Sequence, residues 1–332
     1  MITKRRVIVR AVQSWSGAIM LVSALAVTAL APADVMAQKF PNRPVTWIVP
    51  YPPGGAFDIL PRGISPILAK QLGIPVVVQN IPGPEGYNQF FRSPPDGHTI
   101  GMVDLVGELA QKLVRKPVYD VAKFEYLGRI SMGVNLFVGS PKSTFRKVED
   151  LKGAKEPVRC GSFGALSTPT LECILLSERM GFPVTIVRFT GPAEVIVGIV
   201  RGDADIAALG TTLWLDHLAK GNVMPLLLWS EKRDSRVPGV ISLKDIGLEE
   251  LNVVASQRAV ATSPGTPANL VQVLGKALGE AIESEQVQKF LAERKFETDR
   301  EIGEPFRQTV ANVRGLLEKY DSVIKKFVKS GK

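Results

Sequence analysis

The strongest constraint on the fold is a strand, loop, helix and strand packed into residues 45–79. Val45–Val49 is β-branched and aromatic and runs directly into Pro50-Tyr-Pro-Pro-Gly-Gly55, where proline withholds the N–H a ladder needs and glycine permits a tight turn. Leu60, Ile64, Ile67, Leu68 and Leu72 then recur at helical spacing, with Asp58 placed to cap the start and Gly73 to stop the helix. Pro75–Gln79 is a second strand. So short a path between two strands is a βαβ unit, whose strands are parallel because the helix carries the chain back.

The same grammar continues along the chain. A turn through Asn80–Gly86 leads to a short helix, and Asp96-Gly97 precedes a strand over Thr99–Val103. Val158–Cys160 reads as a short strand and Gly161–Thr168 as a loop, after which Pro169 opens a helix where a missing N–H does no harm. Val184–Val187 is the next strand. Pro192 opens a helix that buries Val195, Ile196, Ile199 and Val200 and ends at Gly202, and Asp203–Ala208 and Val223–Trp229 are further strands. After Ala261 helices take over. Thr266-Pro267 caps one carrying Leu270, Leu274, Leu278 and Ile282; the last places Phe306, Val310, Val313, Leu317, Tyr320, Ile324 and Phe327 on one seam, expected to lie across its own domain.

Met1–Arg10 holds Lys4, Arg5, Arg6 and Arg10 and no acid, and Ala18–Leu30 is apolar. That run has the length of a signal-peptide core and is too short to span a bilayer. With Val35-Met36-Ala37 at the cleavage positions, the sequence predicts a signal peptide over residues 1–37, a mature start at Gln38 and an exported protein. Arg5-Arg6 echoes a twin-arginine signal, so the general secretory and twin-arginine routes both stay open. Removing the segment takes four bases and one acid from a net charge of +9 and leaves +6. The bases are dispersed except for Lys325, Lys326 and Lys329, which fall where a helix C-terminus favours cations. The charge reads as a soluble surface with a mild preference for anions and predicts no nucleic-acid partner.

Signatures of catalysis are missing. Gly161-Ser162-Phe163-Gly164 lacks the spacing of a nucleophile elbow, and no phosphate-binding or dinucleotide-binding glycine motif occurs. His98 and His217 stand far from each other and from the two cysteines, so no metal site is expected. Asp203 and Asp205 read as one turn cap and one cleft-facing residue rather than an acid/base pair. Export permits a disulfide between Cys160 and Cys173, although a strand end and the following helix seldom meet its geometry. The expectation is a protein that is not an enzyme and needs no cofactor. Its informative features are the two glycine-containing turns that each leave a strand and enter a helix. Such turns present backbone N–H groups at a helix N-terminus, a natural receptor for an anionic oxygen.

Phe40–Asp58, as FPNRPVTWIVPYPPGGAFD, closely resembles the opening of the Bug or TctC receptors, the periplasmic solute-binding proteins of tripartite tricarboxylate transporters. Val76–Gly83 and Pro95–Thr99 resemble that family's next motifs. Gly161-Ser162 with Ser167-Thr168, Phe189–Pro192 and Gly202–Asp205 are similar to its second-domain loops, and Ser263–Pro267 to the segment that re-enters the first domain. The resemblance implies an α/β, two-domain Venus-flytrap fold with the ligand in the interdomain cleft. Domain 1 would comprise residues 38–138 and 256–332 and domain 2 residues 139–255, with crossings near Val138 and Ala255. It also implies a monomeric periplasmic receptor for a small organic solute, delivered to membrane transporter subunits or, alternatively, sensed by a two-component sensor kinase. Carried over by position, the ligand-binding residues are Tyr51, Gly54, Gly55, Ala56 and Asp58 in the first loop and Gly161, Ser162, Ser167, Thr168, Phe189 and Asp205 in the second domain.

This sequence departs from the family pattern in a consistent direction. Phe57 stands where the family usually has Thr, Thr170 where it has His, Leu166 where a small residue is common, and Pro82-Gly-Pro-Glu-Gly86 replaces a glycine-rich run. Phe57 and Leu166 therefore join the expected ligand-binding residues as apolar walls. A site that has lost a hydroxyl binds a second carboxylate poorly, since desolvated charge without partners is costly. The expected ligand is an aromatic or otherwise apolar carboxylate stacked on Phe57.

Overall fold

The computed structural model describes residues 40–164, 166–296 and 299–330, with the backbone alone at Lys329 and Ser330. The expected signal peptide over residues 1–37 and the Lys329 side chain lie outside the described residues.

β1 (Val45–Val49), α1 (Ala56–Leu72) and β2 (Val76–Asn80) form the expected unit, β1 and β2 pairing in parallel from Val45 opposite Val76 to Val49 opposite Asn80. Leu60, Ile64 and Leu68 are the buried stripe of α1. Gly73 ends the helix in the left-handed region at φ 70°, returning its N–H to the Ala69 carbonyl. Next come α2 (Pro84–Phe91), β3 (Thr99–Asp104), parallel to β1, and α3 (Leu105–Val114). β4 (Glu125–Gly133) is buried along almost its whole length.

One residue, Val134, then separates β4 from β5 (Asn135–Gly139), and β5 belongs to a different sheet. The sheet change thus precedes Val138, which is itself inside β5 and pairs with Ala207. The second sheet continues with β6 (Val158–Phe163), α4 (Thr168–Met180), β7 (Val184–Phe189), α5 (Pro192–Arg201), β8 (Ile206–Gly210), α6 (Thr211–Ala219) and β9 (Met224–Trp229). β6 is longer than its sequence suggests: Gly161, Ser162 and Phe163 stay in register opposite Val187, Arg188 and Phe189 and are strand, not loop. β8 starts later than expected, since Asp203–Asp205 make the turn after Gly202.

A 3₁₀ turn over Glu249–Val254 and then Ala255 return the chain to the first sheet through β10 (Ser256–Thr262). Then follow α7 (Ala268–Glu283), α8 (Glu285–Glu293), β11 (Glu301–Ile302), α9 (Glu304–Lys319) and α10 (Asp321–Ser330). The first sheet runs β11-β4-β10-β3-β1-β2 and the second β7-β6-β8-β5-β9. Thr266 does not cap α7; its hydroxyl donates to the Ser263 carbonyl at 2.8 Å and closes the turn before the helix.

The long terminal seam is carried by two helices, not one. The chain bends at Tyr320, so that α9 lies on β4 and α3 while α10 turns onto α3 and α4. Phe306, Val313, Leu317, Tyr320 and Ile324 all stay buried through the bend. The terminal helix therefore spans elements beside both sheets instead of keeping to its own. A continuous apolar core results, from Ile48, Phe90 and Val103 through Leu105 and Leu109 to Leu171, Leu175 and Ile324. A smaller cluster of Leu136, Val138, Ile199, Leu209, Trp214 and Leu228 packs in the second unit.

Candidate functional site

The first loop is organised by Asp58, which is 3% exposed. Its Oδ2 accepts the Gly54 N–H at 2.9 Å, and its Oδ1 accepts from Arg62 Nε at 2.9 Å and Asn80 Nδ2 at 2.8 Å. Asn80 Nδ2 also donates to the Tyr51 carbonyl at 3.1 Å, tying the end of β2 to the loop after β1. Burial pushes the Asp58 carboxyl up, but the Gly54 N–H, the Asn80 amide and the Arg62 guanidinium outweigh it and hold the group below its ordinary value. Asp58 is thus not the helix cap but a buried tie between the loop, Arg62 and Asn80. The N-cap is Gly55, with no side-chain cap, and Asp58 sits within the first turn reaching backward.

Gly54 has φ +92°, a conformation side chains resist, whereas Gly55 has φ −88° and ψ 172°, open to any residue. A Cβ on Gly55 would meet nothing within 4 Å. Its glycine therefore leaves space in front of the loop and is not required by the backbone. The Asp58 and Ile59 N–H groups both return to the Gly55 carbonyl, and those of Gly55, Ala56 and Phe57 precede the helix's own ladder. Phe57 is half-buried and stacks on Tyr51, centroids 4.2 Å apart and planes at 22°. The Tyr51 hydroxyl points inward and shares a 3.0 Å hydrogen bond with Tyr87, whose oxygen accepts the Asp104 N–H at 3.3 Å. Burial, then the Asp104 and Glu108 carboxylates, push the Tyr51 phenol well above its ordinary value. Tyr51 is the floor under Phe57.

In the second unit, alternation along β6 splits the expected residues between two faces. Cys160 and Ser162 face α4; Gly161 and Phe163 face α5. A Cβ on Gly161 would stand 3.2 Å from both Ala204 Cβ and Phe189 Cε2, and one on Gly198 would be 2.3 Å from Phe189. Phe189, partly buried, is seated between two glycines against the smaller core, so Gly161 and Phe189 are packing partners. Ser162 is fully buried, its hydroxyl 2.7 Å from Thr170 Oγ1; Thr170 Oγ1 is 3.1 Å from Ser167 Oγ and donates to the Gly164 carbonyl at 3.2 Å. This hydroxyl ladder holds the turn into α4. Ser167 is half-buried at the N-cap and Thr168 is 4% exposed as the first helical residue. Leu166 is 4% exposed in the main core and forms no open wall.

Because α4 folds straight back over β6 after so short a turn, the residue one turn beyond Thr170 meets the strand, and Cys173 is bonded to Cys160 with Cα atoms 6.4 Å apart. The strand-to-helix disulfide is present. Asp205 is placed elsewhere. β6 and β8 run parallel with Cys160 opposite Ile206, so Asp205 lies beside Arg159 at the start of β6, and Phe163 and the loop lie at its end. Its carboxylate accepts from the Arg159 backbone N–H at 2.8 Å and Arg159 Nη2 at 2.7 Å. The structure therefore separates Asp205 from Ser162, Ser167 and Thr168.

Several buried or half-buried polar groups escape sequence reading. Arg258 in β10 stands opposite Asp104 of β3 and Ser131 of β4; its Nη1 donates to Ser131 Oγ at 3.1 Å and its Cζ is 6.0 Å from the Phe57 ring centroid. Burial pushes Asp104 up to about 6, against the Gly107 N–H and Arg258. Glu108, buried in α3, accepts the Tyr119 hydroxyl at 2.7 Å. Glu172 of α4, fully buried and held well above its ordinary value by burial against the Asn135 amide, accepts from Asn135 Nδ2 at 3.0 and 2.9 Å. Asp104 is marked by capping spacing, its Oδ1 accepting the Gly107 N–H at the start of α3; the other partners named here, Ser131, Tyr119 and Asn135, lie on different elements from Arg258, Glu108 and Glu172 and no spacing rule marks them.

The sequence model of the tripartite tricarboxylate transporter family receptor, TctC, matches residues 60–327. Protein BugT of Bordetella pertussis is 30% identical over 268 residues, covering 77% of this chain and 81% of BugT. A TctC solute-binding protein from Polaromonas superposes with a TM-score of 0.74 at 23% identity, over 86% of this chain and 99% of that one. MatC from Rhodopseudomonas palustris with bound malate gives 0.62 at 24% identity, over 87% and 100%. The fold is the two-domain periplasmic binding protein fold. With the match spanning most of the chain in order, this protein belongs to the TctC family of solute-binding receptors.

Proposed function

We propose that this chain is an exported receptor that takes a small organic carboxylate with an apolar or aromatic body into the cleft between two α/β lobes and delivers it to a tripartite tricarboxylate-type transporter. On this reading the lobes divide at Val134 and Ala255 and the ligand closes them together. The observation that carries it is the start of α1. There the N–H groups of Gly55, Ala56 and Phe57 lie outside the helical ladder, the space before Gly55 is open, and the half-buried Phe57 ring stands beside them. A carboxylate on those N–H groups would set its body against Phe57. Ser167, half-buried at the start of α4, is the second lobe's nearest equivalent. The malate seen in MatC is likewise a small organic carboxylate and supports that coarser class, not the apolar body.

The test uses Gly55→Val. Gly55 has an ordinary backbone conformation and an empty Cβ position, so valine fills the mouth without straining the turn. Melting curves of wild type and variant are taken with malate, succinate, citrate, benzoate and 4-hydroxybenzoate. A ligand at a hundred times its Kd stabilises by about 2.7 kcal/mol. The expected result is a shift in wild type, no shift in the variant, and ligand-free melting temperatures within a few degrees of each other. Undiminished binding by Gly55→Val would remove the loop from the site.

A further inference from the structure

We propose that Arg62 and Asn80 are the positioning residues of anion capture at the first loop: they pin the Asp58 carboxylate against the Gly54 N–H and cancel its charge, which leaves the N–H groups of Gly55, Ala56 and Phe57 to an anionic oxygen. The proposal rests on the carboxylate-receptor reading above and adds to it two residues that act without touching the ligand.

A helix N-terminus with a carboxylate in its first turn has conflicting electrostatics. The N–H groups outside the ladder and the helix dipole draw an anion in, while an ionised Asp58 repels it. The two influences are close in space, because Asp58 Oδ2 accepts the Gly54 N–H at 2.9 Å and Gly54 is the residue before Gly55. Asp58 is 3% exposed, so water and salt screen its charge little. The charge is met instead by Arg62, one helical turn on, whose Nε donates to Asp58 Oδ1 at 2.9 Å. Among the described residues Arg62 is the charged group that acts on Asp58. Of the helices packed on α1, α7 pairs its Lys276 with Glu280, and α8 sets Arg294 over its own Phe290, the ring that faces Gly63.

Asn80 fixes the geometry of the pair. Its Oδ1 accepts from Arg62 Nη2 at 2.5 Å, and its Nδ2 donates to Asp58 Oδ1 at 2.8 Å and to the Tyr51 carbonyl at 3.1 Å. One amide thus orients the acid, its counter-ion and the loop, and both of its N–H bonds are used. The chain after Asn80 is itself held on the loop by backbone: the Ile81 N–H donates to the Val49 carbonyl at 2.9 Å and the Gly83 N–H to the Pro50 carbonyl at 3.1 Å. A Cβ on Gly86 would clash with the Ile81 carbonyl and stand 3.1 Å from Pro50 Cα. Arg62 is half-exposed, and ion pairs of that kind add little to stability. Its charge nevertheless bears on any anion bound next to Gly54. An effect on affinity that exceeds the effect on stability therefore distinguishes positioning from support of the fold.

The experiment measures malate, succinate, citrate, benzoate and 4-hydroxybenzoate by calorimetry at pH 7 on the full mature chain, with ligand-free melting as the folding control. Arg62→Gln should weaken every acid that binds wild type by about tenfold, the order expected of one uncancelled charge nearby, with a melting temperature within a few degrees of wild type. Arg62→Lys, which keeps the charge without the fork, should recover part of that loss. Adding Asp58→Asn to Arg62→Gln should also recover affinity, because the charge to be cancelled is gone; two residues that only support the fold would give losses that accumulate. If Arg62→Gln does not fold, Asn80→Asp decides: it loses both donors and adds a carboxylate, so it should weaken the same acids, and Asp58→Asn placed with it should restore them. Unchanged affinity in a folded Arg62→Gln, or a double variant that binds more weakly than its parent, would overturn the proposal and leave the receptor reading standing. Binding of none of the five acids by wild type would sink both.

Discussion

Glu108 offers a quantitative test of the buried polar cluster behind the first loop. It is 7% exposed, and burial pushes its carboxyl from 4.5 up to about 7; the Asp104 carboxylate adds to the rise, while the Tyr119 hydroxyl and Arg115 oppose it. The unfolded chain releases this proton near the ordinary value, whereas the native state keeps it until near pH 7. Between those limits the native state binds more protons than the unfolded one, so this group's contribution to stability falls as pH rises and is fully lost above about pH 7. The separation corresponds to about 3 kcal/mol. Glu108→Gln keeps the size of the side chain and an acceptor for Tyr119, and Gln111, which donates to Glu108 Oε1 at 3.2 Å, can turn its amide to match. Urea unfolding of both proteins from pH 4.5 to 8.5 at constant ionic strength should therefore show the variant gaining on wild type by about 3 kcal/mol between the acid and alkaline ends. Glu172 imposes the same sign on both proteins and cancels in the difference, whereas Asp104, coupled to Glu108, is relieved in the variant and adds to the gain. Parallel profiles would refute the claim that an ionised Glu108 is costly to bury.

Two further outcomes follow from the second unit. Cys173→Ala opens the bridge to Cys160, thirteen residues away, and should lower unfolding free energy by about 3 kcal/mol in denaturant titrations; an unchanged midpoint would mean the bridge constrains nothing that the Ser162, Thr170 and Ser167 hydroxyls do not already hold. Asp205→Asn should leave ligand affinity unchanged within about twofold and cost no more than about 1 kcal/mol, since its Arg159 partner is largely exposed; a large affinity loss would return Asp205 to the site.

What the sequence discloses and what it hides divide along one physical line. Val45–Val49, the stripe of Leu60, Ile64 and Leu68, and the stops at Gly73 and Gly202 are readable because strand composition, helical period and left-handed glycine are local properties. Asp58 also announces itself locally, but whether it caps, binds ligand or ties the loop depends on Asn80, more than twenty residues on, which no periodicity reveals. Gly161 and Phe189 carry a family motif yet serve each other, because their faces of β6 and β7 turn toward α5. Asp205 closes the family-like motif Gly202–Asp205 and is nominated with it, yet strand direction places it at the opposite end of β6 from Ser167. Arg258 is the extreme case: its partners Ser131, Asp104 and Phe57 belong to three different elements, Ser131 being 127 residues away.

The same long-range packing limits how two lobes of this kind can move. Val134, the single residue between the sheets, has its carbonyl held by both the backbone N–H and the hydroxyl of Thr211, at 3.0 and 2.9 Å, and Thr211 is fully buried at the start of α6. Next to it, Asn135 is fixed by two hydrogen bonds to the buried Glu172. The crossing strand is thus clamped to the second lobe up to its first residue, and on its other side Gly133 is held in the first sheet opposite Ser256. On the opposite flank α10 packs on α3 and α4 together, and Arg179 of α4 donates to the Tyr320 hydroxyl at 3.3 Å where α9 meets α10. A closing motion that parted α10 from either helix would expose Ile324 and Tyr320 to water, at a cost of about 1.5–3 kcal/mol for a side chain such as Ile324. A closure that leaves this core intact must therefore keep α10 seated on both helices.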